Sequence, residues 1–145
     1  MDWQEFRVGV KAIFLNAKKE ILILNKSPKH GNAKLGAYWD IPGGGIIKGA
    51  NIEGTLKKEV EEELGIKDFV VVKLFDACIS KLNPHGEKGL FLVSYLCKLD
   101  PDSRITLDSE HTEYRWVDIR EAKSLLVAKF PESFLERLDE LASED

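Results

Sequence analysis

The chain has few cysteines, no long apolar run and no basic excess, and each lack removes a class of protein. Cys78 and Cys97 stand without a C-x-x-C pair and without a histidine at metal-ligand spacing, so a disulfide framework or a zinc site has little support. They read as two small apolar side chains buried in strands, in a reducing compartment. No apolar stretch approaches the ~20 residues of a membrane span. The opening "MDWQEFRVGV" starts acidic and passes straight into strand-like alternation, without the apolar centre of a signal peptide. The expectation is a cytoplasmic protein with no membrane partner. A formal net charge of −4 offers no footprint for gripping duplex nucleic acid by its phosphates.

What is present is ordinary in bulk. Hydrophobic residues make up 43% and charged residues 32% of the chain, far from disordered or fibrous compositions. A length of 145 residues fits one domain, 1–145, in which roughly 70% of the unfolded chain's surface can be buried. "FRVGVKAIFL" places Phe6, Val8, Val10 and Ala12 on one face of a strand, and after "NAKK" the segment "EILILNK" is apolar enough for a strand buried on both sides. The two read as a hairpin. "SPKHGNAKLGA", Ser27 to Ala37, reads as a long loop before the short extended piece "YWDIP".

The most secure helix runs over 52–64. Asn51 is a good N-cap, Gly65 a good residue just past the end, and Leu56, Val60 and Leu64 recur every four residues between them. "DFVVVKLFDACIS" and "GLFLVSYLCKL" read as adjacent strands joined by "KLNPHGEK". "YRWVDI" is a further strand, "DIREAKSLL" a short helix capped by Asp118, and "PESFLERLDELA" a terminal helix with Pro131 in its first turn. The order β-β-β-α-β-β-β-α-α points to a mixed sheet with helices packed on it.

The informative stretch is "GGGIIKGANIEGTLKKEVEEELGI", from Gly43 to Ile66, which reads as a glycine turn leading into a carboxylate-rich helix. Glu59, Glu62 and Glu63 are spaced i, i+3, i+4 and share one face, whereas Glu61 points elsewhere. Like charges on adjacent turns repel, each pair costing a few tenths of a kcal/mol, so something positive should offset them. A hard divalent cation is the natural candidate, since Mg²⁺ takes a few carboxylates and completes its shell with water and substrate phosphate; the alternative is an ordinary charged helix face with Lys57 and Lys58 as local partners. Glycines beside that helix let backbone approach a ligand closely.

These residues resemble the Nudix box, G-x5-E-x7-R-E-U-x-E-E-x-G-U with U a bulky aliphatic. Gly44, Glu59, Val60, Glu62, Glu63, Gly65 and Ile66 fall on the motif in register, and "YWDIPGG" looks like the strand that leads into it. Two positions depart: Ala50 stands at the first Glu, and Lys58 at the Arg that orients the following Glu. The resemblance implies an α/β (α+β) fold, a Nudix-type α/β/α sandwich around a mixed β-sheet. It also implies a metal-dependent, MutT-like pyrophosphohydrolase that cuts a diphosphate linkage in a nucleoside di- or triphosphate, or in a nucleoside diphosphate joined to a group X.

In that picture Glu59, Glu62, Glu63 and the carbonyl of Gly44 hold Mg²⁺ (or Mn²⁺), and the general base is one of these glutamates or another acid. Glu110 is favoured over Glu113 for a further catalytic carboxylate in "SEHTEYRWV". Lys26 is either a point charge on the distal phosphate or an ordinary edge lysine, and Trp39 either stacks on a base or packs. Lys29, His30 and Lys34 are a lid or, by preference, solubilising charge; His85 and His111 read as solubilising too. The partner is a small nucleotide-diphosphate substrate, and the protein a monomer or homodimer. Because of Ala50 and Lys58, a Nudix-fold nucleotide-binding module with weak or no hydrolysis is the rival. Cleavage of ADP-ribose or a dinucleotide is a third reading.

Overall fold

The computed structural model describes residues 1–26, 38–82 and 86–144. The expected loop 27–37, with Lys29, His30 and Lys34, lies outside them, as does His85. Seven strands are formed: β1 (Phe6–Phe14), β2 (Glu20–Lys26), β3 (Tyr38–Asp40), β4 (Gly43–Gly45), β5 (Val70–Ile79), β6 (Gly89–Lys98) and β7 (His111–Asp118). The helices are α1 (Ile52–Leu64), α2 (Ile119–Leu125) and α3 (Glu132–Arg137), the last continuing into a 3-10 segment, Leu138–Ser143. Among the described residues no helix is long and apolar enough to cross a membrane.

The strands make two sheets. One is mixed, in the order β4-β1-β6-β5, with β1 parallel to β6 and antiparallel to β4; the other is antiparallel, in the order β3-β2-β7. The β1–β2 hairpin is therefore a correction. Among the described residues their backbones pair at the bridge Leu15↔Ile21 and through Asn16 N–H to Glu20 O, 3.0 Å, and the strands then diverge into different sheets. The reason is competition for backbone partners. One edge of β1 is filled by β6 from Phe6↔Gly89 to Phe14↔Cys97, the other by β4, and β2 lies between β3 and β7.

Alternation along β1 and β2 feeds two apolar layers. Val10, Ala12, Phe14, Leu22 and Leu24 face Leu56, Val60 and Leu64 of α1. Ile13, Ile21 and Ile23 face the other way, against Ala122, Leu126, Phe130, Phe134, Leu138 and Leu141 from the C-terminal helices. Helices thus cover both sides, giving the α/β/α sandwich. Each of the three α1 side chains is essentially fully buried, worth about 1.5–3 kcal/mol apiece relative to exposure. As the spacing predicts, Asn51 caps α1 by accepting the Gly54 N–H at 2.7 Å, and Gly65 closes it at φ 70°. Asp118 likewise caps α2. Cys78 and Cys97 are free and buried in β5 and β6, and burial pushes both thiols up to about 12.

Candidate active site

The triple glycine, expected as a turn, is strand β4, paired along β1 as Lys11↔Gly43, Val10↔Gly44 and Gly9↔Gly45. The approach is too close for side chains. Gly43 has φ 143°, and a Cβ there would meet the Val10 carbonyl oxygen at 2.0 Å. A Cβ on Gly44 would meet the Glu59 carboxyl carbon at 2.4 Å. The glycines therefore let α1 lay its carboxylates directly on the β4 backbone.

The three helix glutamates share a side of α1 but occupy different environments. Glu63 is buried, and the Gly43 N–H donates to its Oε1 at 2.7 Å. Its Oε2 lies 3.6 Å from His111 Nε2, and His111 Nδ1 lies 2.7 Å from Asp108 Oδ1. Burial pushes the Glu63 carboxyl up to about 8, with Lys11 and the Gly43 N–H working against it. Glu59 is half-buried against Gly44; burial raises its carboxyl, and Glu62 and Glu110 add to the rise while Lys11 and Lys58 oppose it. Glu62 is exposed, with Lys58 Nζ 3.9 Å from its Oε1. Glu61 faces Lys67 at 4.0 Å, away from this group.

Glu110 sits in the turn before β7, within electrostatic reach of Glu59, whereas Glu113 pairs with Arg115 at 3.3 Å. Among the described residues no three carboxylate, histidine or cysteine side chains converge tightly enough to hold an ion as they stand. The donor chemistry nevertheless fits a hard cation. Every candidate donor is an oxygen, Gly44 puts no side chain between its backbone and Glu59, and the Glu59 carboxyl is raised by burial first and by the neighbouring Glu62 and Glu110 as well.

On β4 and β1 opens a cavity of about 960 Å³, lined in part by Lys11, Lys26, Tyr38, Gly43–Gly45 and Lys129. Lys26 thus faces this space. Trp39 takes the Arg115 guanidinium over its ring at 4.8 Å and packs on the core, and among the described lining residues it is Tyr38, not Trp39, that represents β3.

Several residues here escaped the sequence reading. Lys11 and Lys129 are buried, and both reach Asp40 Oδ2, at 3.0 and 2.6 Å; Lys11 also donates to the Ile41 carbonyl at 3.2 Å. Burial would raise the Asp40 carboxyl, but the two ammoniums outweigh it and hold it well below the usual carboxylate range. Burial, partly offset by Asp40, lowers Lys11. The available signal was a lone lysine on the apolar strand "VGVKAIFL". His111 also corrects the expectation of solubilising charge: it is buried, between Asp108 and Glu63.

A model of the NUDIX domain matches residues 5–138, and the chain belongs to the Nudix family. Curated relatives include an RNA pyrophosphohydrolase of Pelagibacter ubique, 25% identical over 83% of this chain and 82% of that one. Another RNA pyrophosphohydrolase, from Orientia tsutsugamushi, is 30% identical over 78% of this chain and 75% of its own length. Among solved structures, a MutT protein of Methanosarcina mazei superposes with a TM-score of 0.76 at 23% identity, covering 98% of this chain and 96% of that one, a likeness of fold. Within the family the chain is a hydrolase acting on pyrophosphate bonds.

Proposed function

We propose that this hydrolase cleaves the diphosphate bridge of a nucleoside 5′-polyphosphate, with Mg²⁺ or Mn²⁺ held by Glu59, Glu62, Glu63 and the Gly44 carbonyl. One observation carries the reading: strand β4 presents bare backbone between the carboxylates of α1 and a cation-lined cavity. A diphosphate lying along that strand has hard-cation ligands at one end and ammonium groups at the other. When bound, the metal neutralises oxygens of the bridge and lowers the pKa of the attacking water.

The chain's own residues do the rest. Gly44 allows Glu59 to rest on the strand, and Gly43 and His111 fix Glu63. Glu110 supplies a further carboxylate near Glu59, the position from which a base would accept the proton of the attacking water. Lys26, on the cavity wall, meets the distal phosphate as a point charge. We further read the chain as one domain, 1–145, working in the cytoplasm as a monomer or homodimer on a small substrate.

The test is a screen with Mg²⁺ and with Mn²⁺ over nucleoside di- and triphosphates, nucleoside diphosphates joined to a second group, and a short single-stranded RNA carrying a 5′-triphosphate, the last because of the relatives' names. The expected outcome is metal-dependent release of phosphate, pyrophosphate or a nucleoside monophosphate from at least one class. Nucleotide binding without turnover of any of them would replace this reading by the binding module.

A further inference from the structure

The cavity beside β4 carries more positive charge than a metal-held diphosphate needs. Arg7, Lys11, Lys26, Lys48 and Lys129 line it, and no carboxylate does among the described residues, in a chain whose formal net charge is −4. Arg7 and Lys48 are exposed at its rim, whereas Lys11 and Lys129 are 5% and 6% exposed. A buried charge is unfavourable unless paired, and here two ammoniums share one carboxylate oxygen of Asp40. Lys11 also feels the Glu63 carboxyl, whereas Lys129 has Asp40 as its bonded carboxylate among the described residues.

Donor capacity is left over. An ammonium has three N–H bonds. Among the described residues, Lys11 directs donors to Asp40 and Ile41, and Lys129 directs one to Asp40, with the Tyr38 ring centroid 5.8 Å from its nitrogen. Both lysines border the same open space. Metal ions held by α1 would neutralise the bridge on that side of β4, which would leave these lysines for a second anion.

We propose that Lys129, held against Lys11 by Asp40, is the receptor for an anionic substrate group additional to the diphosphate that is cut, which selects substrates bearing at least one further phosphate. This rests on the reading of β4 as the diphosphate platform. The phosphate could come from a longer 5′ chain or from the nucleoside itself, and the shared chemistry is a phosphate dianion. Apolar Phe6, Val8, Leu90 and Leu92 on the cavity wall leave room for the uncharged part of the same molecule.

Calorimetry on the metal-free protein tests this apart from turnover, with adenosine and guanosine series of the 5′-diphosphate, the 5′-triphosphate and the 3′-phosphate 5′-diphosphate. The expected result is at least tenfold tighter binding of one of the two longer anions than of the diphosphate. A gain with the triphosphate assigns the end of the 5′ chain, and a gain with the 3′-phosphorylated compound assigns the nucleoside. Lys129→Gln should bring that ratio close to one, and Lys129→Arg should retain most of it. A wild-type ratio near one, or a ratio that survives Lys129→Gln, overturns the proposal, and the wild-type ratio decides even where a variant does not fold. A gain in binding with no hydrolysis of any substrate would uphold the receptor and sink the hydrolase reading instead.

Discussion

The carboxylate of Glu59 rests on the α-carbon of Gly44, so closely that a Cβ at Gly44 would stand 2.4 Å from its carboxyl carbon and 2.7 Å from its Oε2. A glycine of β4 and a glutamate of α1 are thereby one unit. Gly44→Ala should displace Glu59 without unfolding the chain, because Gly44 has no left-handed backbone to strain. Misplacing a reacting group by about 1 Å lowers turnover on the order of a hundredfold. Steady-state kinetics alongside a thermal melt should show that loss with a shift in Tm of only a few degrees; unchanged turnover would detach Glu59 from the chemistry.

Glu62 is exposed and loosely paired with Lys58 at 3.9 Å, so its charge contributes little to stability. Glu62→Gln should leave the metal-free Tm within about 2 °C while lowering turnover by two orders of magnitude or more, since a hard cation loses an anionic ligand. Millimolar Mg²⁺ or Mn²⁺ should raise the wild-type Tm by mass action, and raise that of the variant less. Equal metal-induced shifts in the two proteins would remove Glu62 from the ligand set.

Asp40 is the carboxylate that bridges the two buried lysines Lys11 and Lys129. Asp40→Asn keeps the shape but takes from Lys11 and Lys129 the carboxylate they share, and breaking a buried pair in this way costs about 3–5 kcal/mol. Urea unfolding at neutral pH measures it. A loss below about 1 kcal/mol would mean that water already reaches the lysines.

The same carboxylate sets a pH dependence. Its folded-state value is depressed, burial being outweighed by Lys11 and Lys129. Its contribution is therefore fully present above the unfolded value of about 3.9 and disappears as pH falls through the folded value. The stability difference between wild type and Asp40→Asn should be flat from pH 5 to pH 7 and shrink only below about pH 4. A difference that instead grows on acidification would reverse the assigned direction.

Ala50 and Lys58 line a cavity of about 220 Å³ with Glu59, and the ion pair of Lys58 goes to Glu62 rather than to Glu59. Lys58→Arg alone should therefore change kcat/KM by no more than about twofold, well under 1 kcal/mol. Ala50→Glu fills the space and brings a carboxylate to residue 58. The double variant should gain up to about tenfold, more than the two single changes multiplied, because a guanidinium can hold carboxylates through paired hydrogen bonds. A double-mutant cycle in kcat/KM measures the coupling, and strictly multiplicative effects would mean that the two side chains do not meet.

Local signals were legible in the chain. Asn51, Gly65 and the Leu56–Val60–Leu64 repeat bounded α1, Asp118 marked α2, and the register from Gly44 to Ile66 led to the family, because capping and motif spacing depend on residues within a few turns of each other. The strand pattern was read correctly for β5 and β6, which pair directly. It failed for β1 and β2, since alternation reports which faces are buried and says nothing of which strand takes each edge. The glycines looked like a turn because glycine permits turns and close strands equally, and only the packing of β1 against them decides between the two.

The sequence by itself determined the helix, its carboxylates and the family to which both belong. Tertiary structure alone decided that Glu63 is buried on Gly43 beside His111, that Glu62 stays in solvent, and that Lys11, Asp40 and Lys129 meet. Lys129 and Asp40 are 89 residues apart, and their contact arises where the segment after α2 closes over β3. Charges that far apart along the chain influence each other only after folding removes the water between them, which lowers the local dielectric and makes the pairing strong.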